Sequence, residues 1–224
     1  MTLTMSITRA IDTSTGTETN TPTGNLKVVL GLIEEARKWL PTKGTNQWAI
    51  PYPDPHGKLA QVRQGIKGGN TWIVWHEGTP AATVTLSARR NKHVWTKDST
   101  SCDLSERAAF VNRLITARDF AGLGLGAELI NWAGLRGRQE WGAKWIRIDV
   151  WATNEKLHEY YRNTGFTRCG TYVDPAYPSG ALFQKPMSSI DKVYIPSFKG
   201  SSTYFVLPGA LRSKSAGERV LADA

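Results

Sequence analysis

The sequence predicts an α+β fold, in which helices pack on a central sheet. Short apolar and β-branched runs at residues 71–76, 108–117 and 145–150 are typical of strands. Residues 25–40 and 128–138 instead carry apolar side chains at helical spacing. A glycine-rich loop joins the strand at 108–117 to the helix that follows it. The second half of the chain is therefore predicted to run from strand to glycine loop, helix, strand and helix.

The chain before the sheet is predicted to contribute a leader and two helices. Residues 1–24 are rich in Thr and Ser, which predicts a flexible leader. Residues 25–40 form an amphipathic helix that ends at Pro41. After a proline-rich loop that contains Trp48, residues 58–67 form a short second helix.

The remaining strands are predicted from alternation and turn residues. Residues 71–76 (TWIVWH) and 81–86 (AATVTL) are two strands joined by a turn at residues 77–80. Near the end of the sheet, residues 168–173 and 181–184 can pair across a segment rich in proline and glycine.

We divide the chain into a leader at residues 1–24, one domain at residues 25–187 and a C-terminal extension at residues 188–224. A length of 224 residues suits one domain with extensions. Within the extension, residues 193–195 and 203–207 could make short extended contacts.

The glycine loop has the composition of a phosphate cradle. Gly122, Gly124 and Gly126 stand at alternate positions between a predicted strand and a predicted helix. Without Cβ atoms, the backbone can turn tightly and approach a ligand closely. The first amides of the helix have no partner within the helix, and the helix dipole favours an anion there.

Two nucleotide motifs and a packing role are alternatives for this loop. An ATP-binding P-loop needs Gly-Lys-Ser/Thr at its end, but Gly126 is followed by Ala127 and Glu128. A dinucleotide fingerprint is met formally by Gly122, Gly124 and Ala127, with an acidic residue at the end of the next strand. That fold needs more strand–helix units than the chain provides. The glycines could also serve only close helix packing.

Three motifs in the second half of the chain resemble those of the GCN5-related N-acetyltransferase (GNAT) family. Residues 121–126 match the family's Gln/Arg-x-x-Gly-x-Gly/Ala loop except at its first position. Val150 and Asn154 match its Val-x-x-x-Asn motif, and residues 161–166 match Tyr-x-x-x-Gly-Phe. The motifs occur in the family's order, and the resemblance covers residues 26–186. It implies an α/β/α architecture with a mixed sheet of about six or seven strands.

The resemblance also implies acetyl-CoA as the cofactor. Where the family has Gln or Arg, this chain has Ala121, so we expect backbone amides and the charge of Arg118 to bind the phosphates. The pantetheine arm is implied to contact Asn154, and amides of the central strand to contact the acetyl carbonyl. The full implied set is Leu114, Ile115, Thr116, Arg118, Ala121, Gly122, Leu123, Gly124, Leu125, Gly126, Ala127, Asn154 and Tyr161.

Acetyl transfer requires an acid for the leaving thiolate, and Tyr161 occupies the family's acid position. A phenol with a pKa near ~10 can protonate a thiolate whose conjugate pKa is near ~8.5. The neighbouring Tyr160 points about 100° away around the helix, which favours packing.

The general base is predicted to be Asp149, at the end of the strand that precedes the Val-x-x-x-Asn helix. Related enzymes that acetylate protein N-termini resemble this with a glutamate, so the shorter carboxylate could act through a water. Asp149 could instead pair with Arg147 or Lys144 on a surface. Three histidines are rival bases: His76, His93 and His158, the last expected to face solvent.

The first helices and the loop between them are implied to wall the acceptor site. Candidate substrate contacts are Trp39, Gln47, Trp48 and Tyr52, although these aromatic residues could simply pack on the core. The predicted function is acyl-CoA-dependent N-acetylation of an amine of a small molecule or peptide. The alternative is a non-catalytic module that binds acyl-CoA or associates with nucleic acid.

A formal net charge of +9 is compatible with an anionic partner such as nucleic acid. The densest basic group lies at residues 89–97 beside Trp95 and could stack on bases. A solvated turn near an anionic cofactor is the favoured interpretation, so nucleic acid is not the expected partner.

Composition restricts the other functional classes. Cys102 and Cys169 are far apart in sequence and have no metal-ligand spacing, which favours two free thiols and no metal site. No apolar run approaches the roughly 20 residues that span a bilayer. We expect a cytoplasmic protein without a membrane partner, compatible with a homodimer.

Overall fold

The computed structural model describes residues 3–12, 24–49, 52–190 and 202–207. Its helices and strands, in chain order, are β1 (Leu3–Arg9), α1 (Gly24–Trp39), α2 (Pro55–Lys67), β2 (Thr71–His76), β3 (Thr79–Ser87), β4 (Ala108–Thr116), α3 (Leu125–Trp141), β5 (Trp145–Val150), α4 (Glu155–Asn163), β6 (Thr167–Thr171), β7 (Ala181–Pro186) and β8 (Ser202–Leu207).

The described strands form one mixed sheet in the order β6-β7-β5-β4-β3-β2-β1-β8. Within it, β4 and β5 are parallel, and every other neighbouring pair is antiparallel. The predicted α+β class and mixed sheet are confirmed, with eight strands instead of about six or seven. The predicted extended segment at 203–207 is part of β8, whereas residues 193–195 lie outside the described chain.

The expected flexible leader is wrong for residues 3–9, because they form β1. Met5 and Ile7 are completely buried, and the alternation of apolar and polar residues through this segment fits a strand with one face in the core. Thr8 strengthens the pairing by accepting a hydrogen bond from the Trp75 indole at 2.9 Å. The prediction relied on the high Thr and Ser content of residues 1–24 and overlooked the alternation of apolar and polar residues, which is typical of a strand.

Helices cover both faces of the sheet. Gly65 of α2 lies against Thr71, whereas Trp132 of α3 stacks edge-on against Trp72 at 5.1 Å. Because successive strand residues point to opposite faces, α2 and α3 lie on opposite sides of β2. The α/β/α layering is therefore confirmed.

The predicted turn between β2 and β3 is tighter than expected. It consists of Glu77 and Gly78, whose φ angles of 50° and 79° suit a two-residue hairpin. Thr79 and Pro80 already belong to β3.

The parallel pair β4–β5 separates partway along its length. Pairing runs only from Ala108 to Phe110 on one strand and from Trp145 to Arg147 on the other. Beyond these residues β4 continues to pair with β3, and β5 with β7. The gap between the two diverging strands positions the candidate site.

The basic segment at residues 89–97 is more buried than its charge suggested. Trp95 is buried against Phe110 at 5.5 Å, in a second core cluster that also holds the free thiols Cys102 and Cys169. Trp95 therefore cannot stack on a nucleic acid base, because core residues already cover its ring.

Candidate active site

A cavity of about 370 Å³ lies where β4 and β5 diverge. Its walls come from the two strands, from α1, α2 and α4, and from the loops around residues 47–52 and 177–179. Such a volume falls in the range of small-molecule sites.

The cavity brings together six of the residues predicted from the sequence. They come from four separate segments of the chain: Gln47, Trp48, Tyr52, Leu114, Asp149 and Tyr161. The predicted acid, the predicted base and three predicted substrate contacts thus share one space.

Trp39 does not line this cavity, contrary to the prediction. The guanidinium of Arg118 lies 3.7 Å from the Trp39 ring, and Lys43 approaches the same ring at 5.4 Å. The Arg118 backbone N–H donates to Glu35 of α1 at 3.2 Å. Trp39 therefore braces the segment that leads into the glycine loop.

Asn154, a predicted cofactor contact, is bonded to the loop that contains the predicted substrate contact Gln47. Its side-chain oxygen accepts a hydrogen bond from the Leu157 backbone N–H at 3.1 Å and caps α4. Its amide nitrogen donates to Gln47 at 2.8 Å. Beside this pair, the Trp151 indole donates to Asn46 at 2.8 Å. These bonds hold the loop with Gln47 against the end of β5.

Asp149 makes a short hydrogen bond inside the cavity and has no surface ion pair. The Tyr177 hydroxyl donates to its carboxylate at 2.5 Å. Arg147, the alternative partner, instead donates to the Asp103 carbonyl at 2.7 Å, and Lys144 pairs with Glu106. The surface-pairing interpretation is therefore wrong.

Burial sets the ionisation of both predicted catalytic groups. Desolvation raises the pKa of Asp149 above its ordinary value, although the hydrogen bond from Tyr177 opposes that shift. Desolvation also raises the pKa of Tyr161, and the nearby Tyr160 and Asp149 add to the effect. A carboxylate with a raised pKa is a stronger base, and the phenol stays protonated at physiological pH.

The histidines do not compete for the role of base in the cavity. His158, expected to face solvent, is fully buried, and its Nε2 lies 2.9 Å from the Trp151 carbonyl oxygen. It shares the inner face of α4 with Tyr161, three residues later. His76 packs edge-on against Phe120, and the exposed His93 does not line the cavity.

The glycine loop follows the C-terminal end of β4, beyond the strand residues that line the cavity, as the sequence predicted. Gly122 and Gly124 adopt φ angles of 79° and 75°, which favour glycine over other residues. A Cβ built at either position would meet no atom within 4 Å, so both backbones border open space. Gly124 starts α3 without a side-chain cap. The first amides of this 17-residue helix have no partner within the helix, and such a helix start is suited to bind an anion.

The other implied cofactor residues lie along this path. Leu114 lines the cavity, while Ile115 and Thr116 continue β4 towards the loop and pair with β3. Ala121, Leu123 and the first turn of α3 complete the cradle with the glycines. Their cofactor contacts stay a prediction.

Sequence reasoning missed several polar residues of the cavity: Lys58, Gln61, Asn91, Arg113 and Tyr177. One signal was available, since Arg113 and its neighbour Asn112 interrupt the apolar run of β4. Tyr177 had none, because it lies in the loop between β6 and β7 and resembles any loop aromatic.

Among the described residues, no group of three or more His, Cys, Asp or Glu side chains could hold a metal ion. In the same part of the chain, no helix is long and apolar enough to cross a membrane.

Comparison with known proteins finds acetyltransferases among the similar sequences and folds. The curated "Uncharacterized N-acetyltransferase YesJ" of Bacillus subtilis (strain 168) is 29% identical over 165 residues, covering 72% of this chain and 84% of that protein. A GNAT-family acetyltransferase structure from Streptococcus agalactiae superposes with a TM-score of 0.58 at 19% identity, over 81% of this chain and 95% of that one. One from Listeria monocytogenes gives 0.55 at 23% identity, over 72% and 88%.

The two structural likenesses concern the fold. Membership is shown by the sequence model of the acetyltransferase (GNAT) family, which matches residues 33–166. Since this match spans more than half of the 224 residues, the chain belongs to the GNAT acetyltransferase family.

Proposed function

We propose that this protein transfers an acetyl group from acetyl-CoA to an amine of a small molecule or a peptide. The observation that carries the proposal is the shared cavity of Asp149 and Tyr161, at the separation of β4 and β5. A carboxylate and a phenol in one cavity can provide the base and the acid that acetyl transfer needs.

The cofactor supplies an activated thioester. The cradle of Gly122, Gly124 and the first turn of α3 would bind its pyrophosphate through backbone amides. Asn154 would meet the pantetheine arm, and the β4 segment that starts at Leu114 would direct the acyl end into the cavity.

In this proposal, Asp149 removes the proton from the acceptor ammonium, directly or through a water. Its raised pKa makes it a better proton acceptor than an exposed carboxylate. Tyr177 orients the carboxylate through its hydrogen bond. Tyr161 then donates its hydroxyl proton to the leaving sulfur.

The test is release of free thiol from acetyl-CoA in the presence of a panel of primary amines. We expect amine-dependent release, with an acetylated product of matching mass. If no amine stimulates release although acetyl-CoA raises the Tm, the non-catalytic binding module is the better description.

A further inference from the structure

The polar residues missed by sequence reasoning form a second functional half of the cavity. Arg113 of β4 and Lys58 of α2 both line it, as does Gln61 of α2. Neither cation is needed for the proton transfers described above. Their arrangement bears on which amine the cavity accepts.

A bulge in β4 produces the unusual backbone of Arg113. Thr83 pairs with Ile115, but Thr85 pairs with Asn112, so β4 carries one extra residue between the two pairs. Arg113 adopts a φ of 49°, a left-handed conformation that is costly for a residue with a side chain. Bulges commonly redirect a side chain next to an active site.

The guanidinium of Arg113 has a neutral hydrogen-bond partner. It donates to the Gln61 side-chain oxygen at 3.0 Å. Within the described chain, no Asp or Glu lies at salt-bridge distance from Arg113. Burial lowers the pKa of Arg113, which reflects the cost of desolvating its charge. A partly buried guanidinium with unused donors is suited to bind an anion.

Lys58 adds a second positive charge to the same wall. It is half-buried, and its Nζ lies 5.9 Å from the centre of the Trp48 ring. Burial lowers the pKa of Lys58, and the charges of Arg37 and Arg113 lower it further. These two cations repel each other, and one bound anion would stabilise both of them.

The wall that holds Asp149 brings a negative charge to the same cavity, and this charge acts on that of Arg113. Its carboxylate is bonded to Tyr177, and the Tyr177 ring meets Tyr52 edge-on at 5.0 Å. An acceptor amine would be drawn to this wall, and an acidic group on the same molecule to Arg113 and Lys58. Aromatic rings, among them Trp48 and Tyr161, also line the cavity.

We propose that the acceptor is an amino carboxylic acid, whose carboxylate is bound by Arg113 and Lys58 while its amine faces Asp149. The planar guanidinium suits bidentate contact with a carboxylate. This inference rests on the proposed acetyl transfer for its kinetic test, but ligand binding tests it separately.

The experiment compares free amino acids with their carboxamides, which keep the amine and shape but lose the negative charge. The panel contains phenylalanine, tyrosine, tryptophan, leucine and methionine, each as the acid and as the amide. Because a charge-assisted hydrogen bond is at stake, we expect kcat/KM for the preferred acid to exceed that of its amide about 10- to 100-fold. Arg113→Gln should abolish this preference, so that the acid and its amide are turned over with similar kcat/KM.

Arg37→Gln is the matched control. It removes a positive charge that also acts on Lys58, but Arg37 pairs with Glu34 and does not line the cavity. The preference for acids should survive in this variant. If Arg113→Gln fails to fold, the preference for acids is measured in Lys58→Gln instead. We expect this variant to lose a smaller part of the preference.

The outcomes separate this inference from the proposed function. Turnover of amides as fast as acids would overturn the carboxylate site while leaving acetyl transfer intact. If no amine is turned over, calorimetric titration measures the affinity of the protein for the same acids and amides. The inference predicts tighter binding of the acid, and equal binding or no binding of both compounds overturns it. Loss of the acetyl-CoA-induced Tm shift in Arg113→Gln would also overturn it, because the guanidinium would then serve the cofactor.

Discussion

The two halves of the proposed site, one for the cofactor and one for the acceptor, differ in which chemical groups form them. The cofactor half is a short contiguous segment, in which Gly122, Gly124 and the start of α3 offer backbone amides. The acceptor half is a set of side chains from loops and elements far apart in sequence, among them Gln61, Arg113 and Tyr177. A site made of backbone amides depends mainly on the local conformation of one segment. A site made of side chains depends on which distant residues the fold places next to each other.

This contrast predicts which substitutions impair each half of the site. The cofactor half should fail when its local backbone is obstructed. The acceptor half should instead respond to single functional groups, with changes in rate and pH dependence but little change in cofactor affinity.

The largest effect is expected from Gly124→Val. The variant adds a Cβ and two methyl groups where the cradle is open, and we expect the acetyl-CoA-induced rise in Tm to disappear. Thermal denaturation with and without acetyl-CoA measures this. Gly78→Val is the matched control, since Gly78 has a similar φ of 79° and equally open surroundings in the β2–β3 hairpin. A folded Gly124→Val protein with the full shift would refute the cradle.

Tyr161→Phe tests the group at the junction of the two halves. It removes only a hydroxyl, so if this phenol protonates the leaving sulfur, kcat should fall by roughly 10²-fold while acetyl-CoA still raises the Tm. Steady-state kinetics with saturating acetyl-CoA provides the measurement. Tyr160→Phe, one position along α4, should be nearly silent. Normal kcat in the Tyr161 variant would assign the proton to water or another group.

Asp149→Asn tests the acceptor half through pH. Because burial raises the pKa of Asp149, wild-type kcat/KM should rise with pH along a limb whose midpoint lies above the ordinary carboxyl value near ~3.9. The variant should lose this limb, so its deficit should be largest, roughly 10²-fold, on the wild-type plateau. The deficit should then shrink at still higher pH, where the acceptor amine loses its proton unaided. A deficit that does not vary with pH would make Asp149 structural.

Asp174→Asn controls for the loss of a carboxylate bonded to a tyrosine. Asp174 accepts a hydrogen bond from the Tyr172 hydroxyl at 3.0 Å, but it does not line the cavity. We expect its pH profile to match that of the wild-type protein.

The smallest effect is expected from Tyr177→Phe. The hydrogen bond from Tyr177 lowers the pKa of Asp149, so its removal should raise that pKa further. The rising limb of kcat/KM should therefore move to higher pH, by about one unit or less, with an unchanged plateau. An unmoved limb would show that Tyr177 does not tune the base.

The sequence by itself determined the elements that depend on local pattern. The amphipathic α1, the apolar β5, the glycine turn before α3 and the motif residues Asn154 and Tyr161 lie where their periodicity and spacing placed them. Each of these features is encoded within about twenty neighbouring residues, because capping, turn chemistry and hydrophobic alternation are local.

Only the tertiary structure decided the acceptor half. The separation of β4 from β5, the bulge at Arg113 and the seat of Tyr177 beside Asp149 result from strand pairing and loop packing between distant segments. The position of β1 at the sheet, against the expected leader, followed from burial of Met5 and Ile7. These contacts join residues far apart in sequence, and the free energy that selects them comes from packing, which no local pattern records.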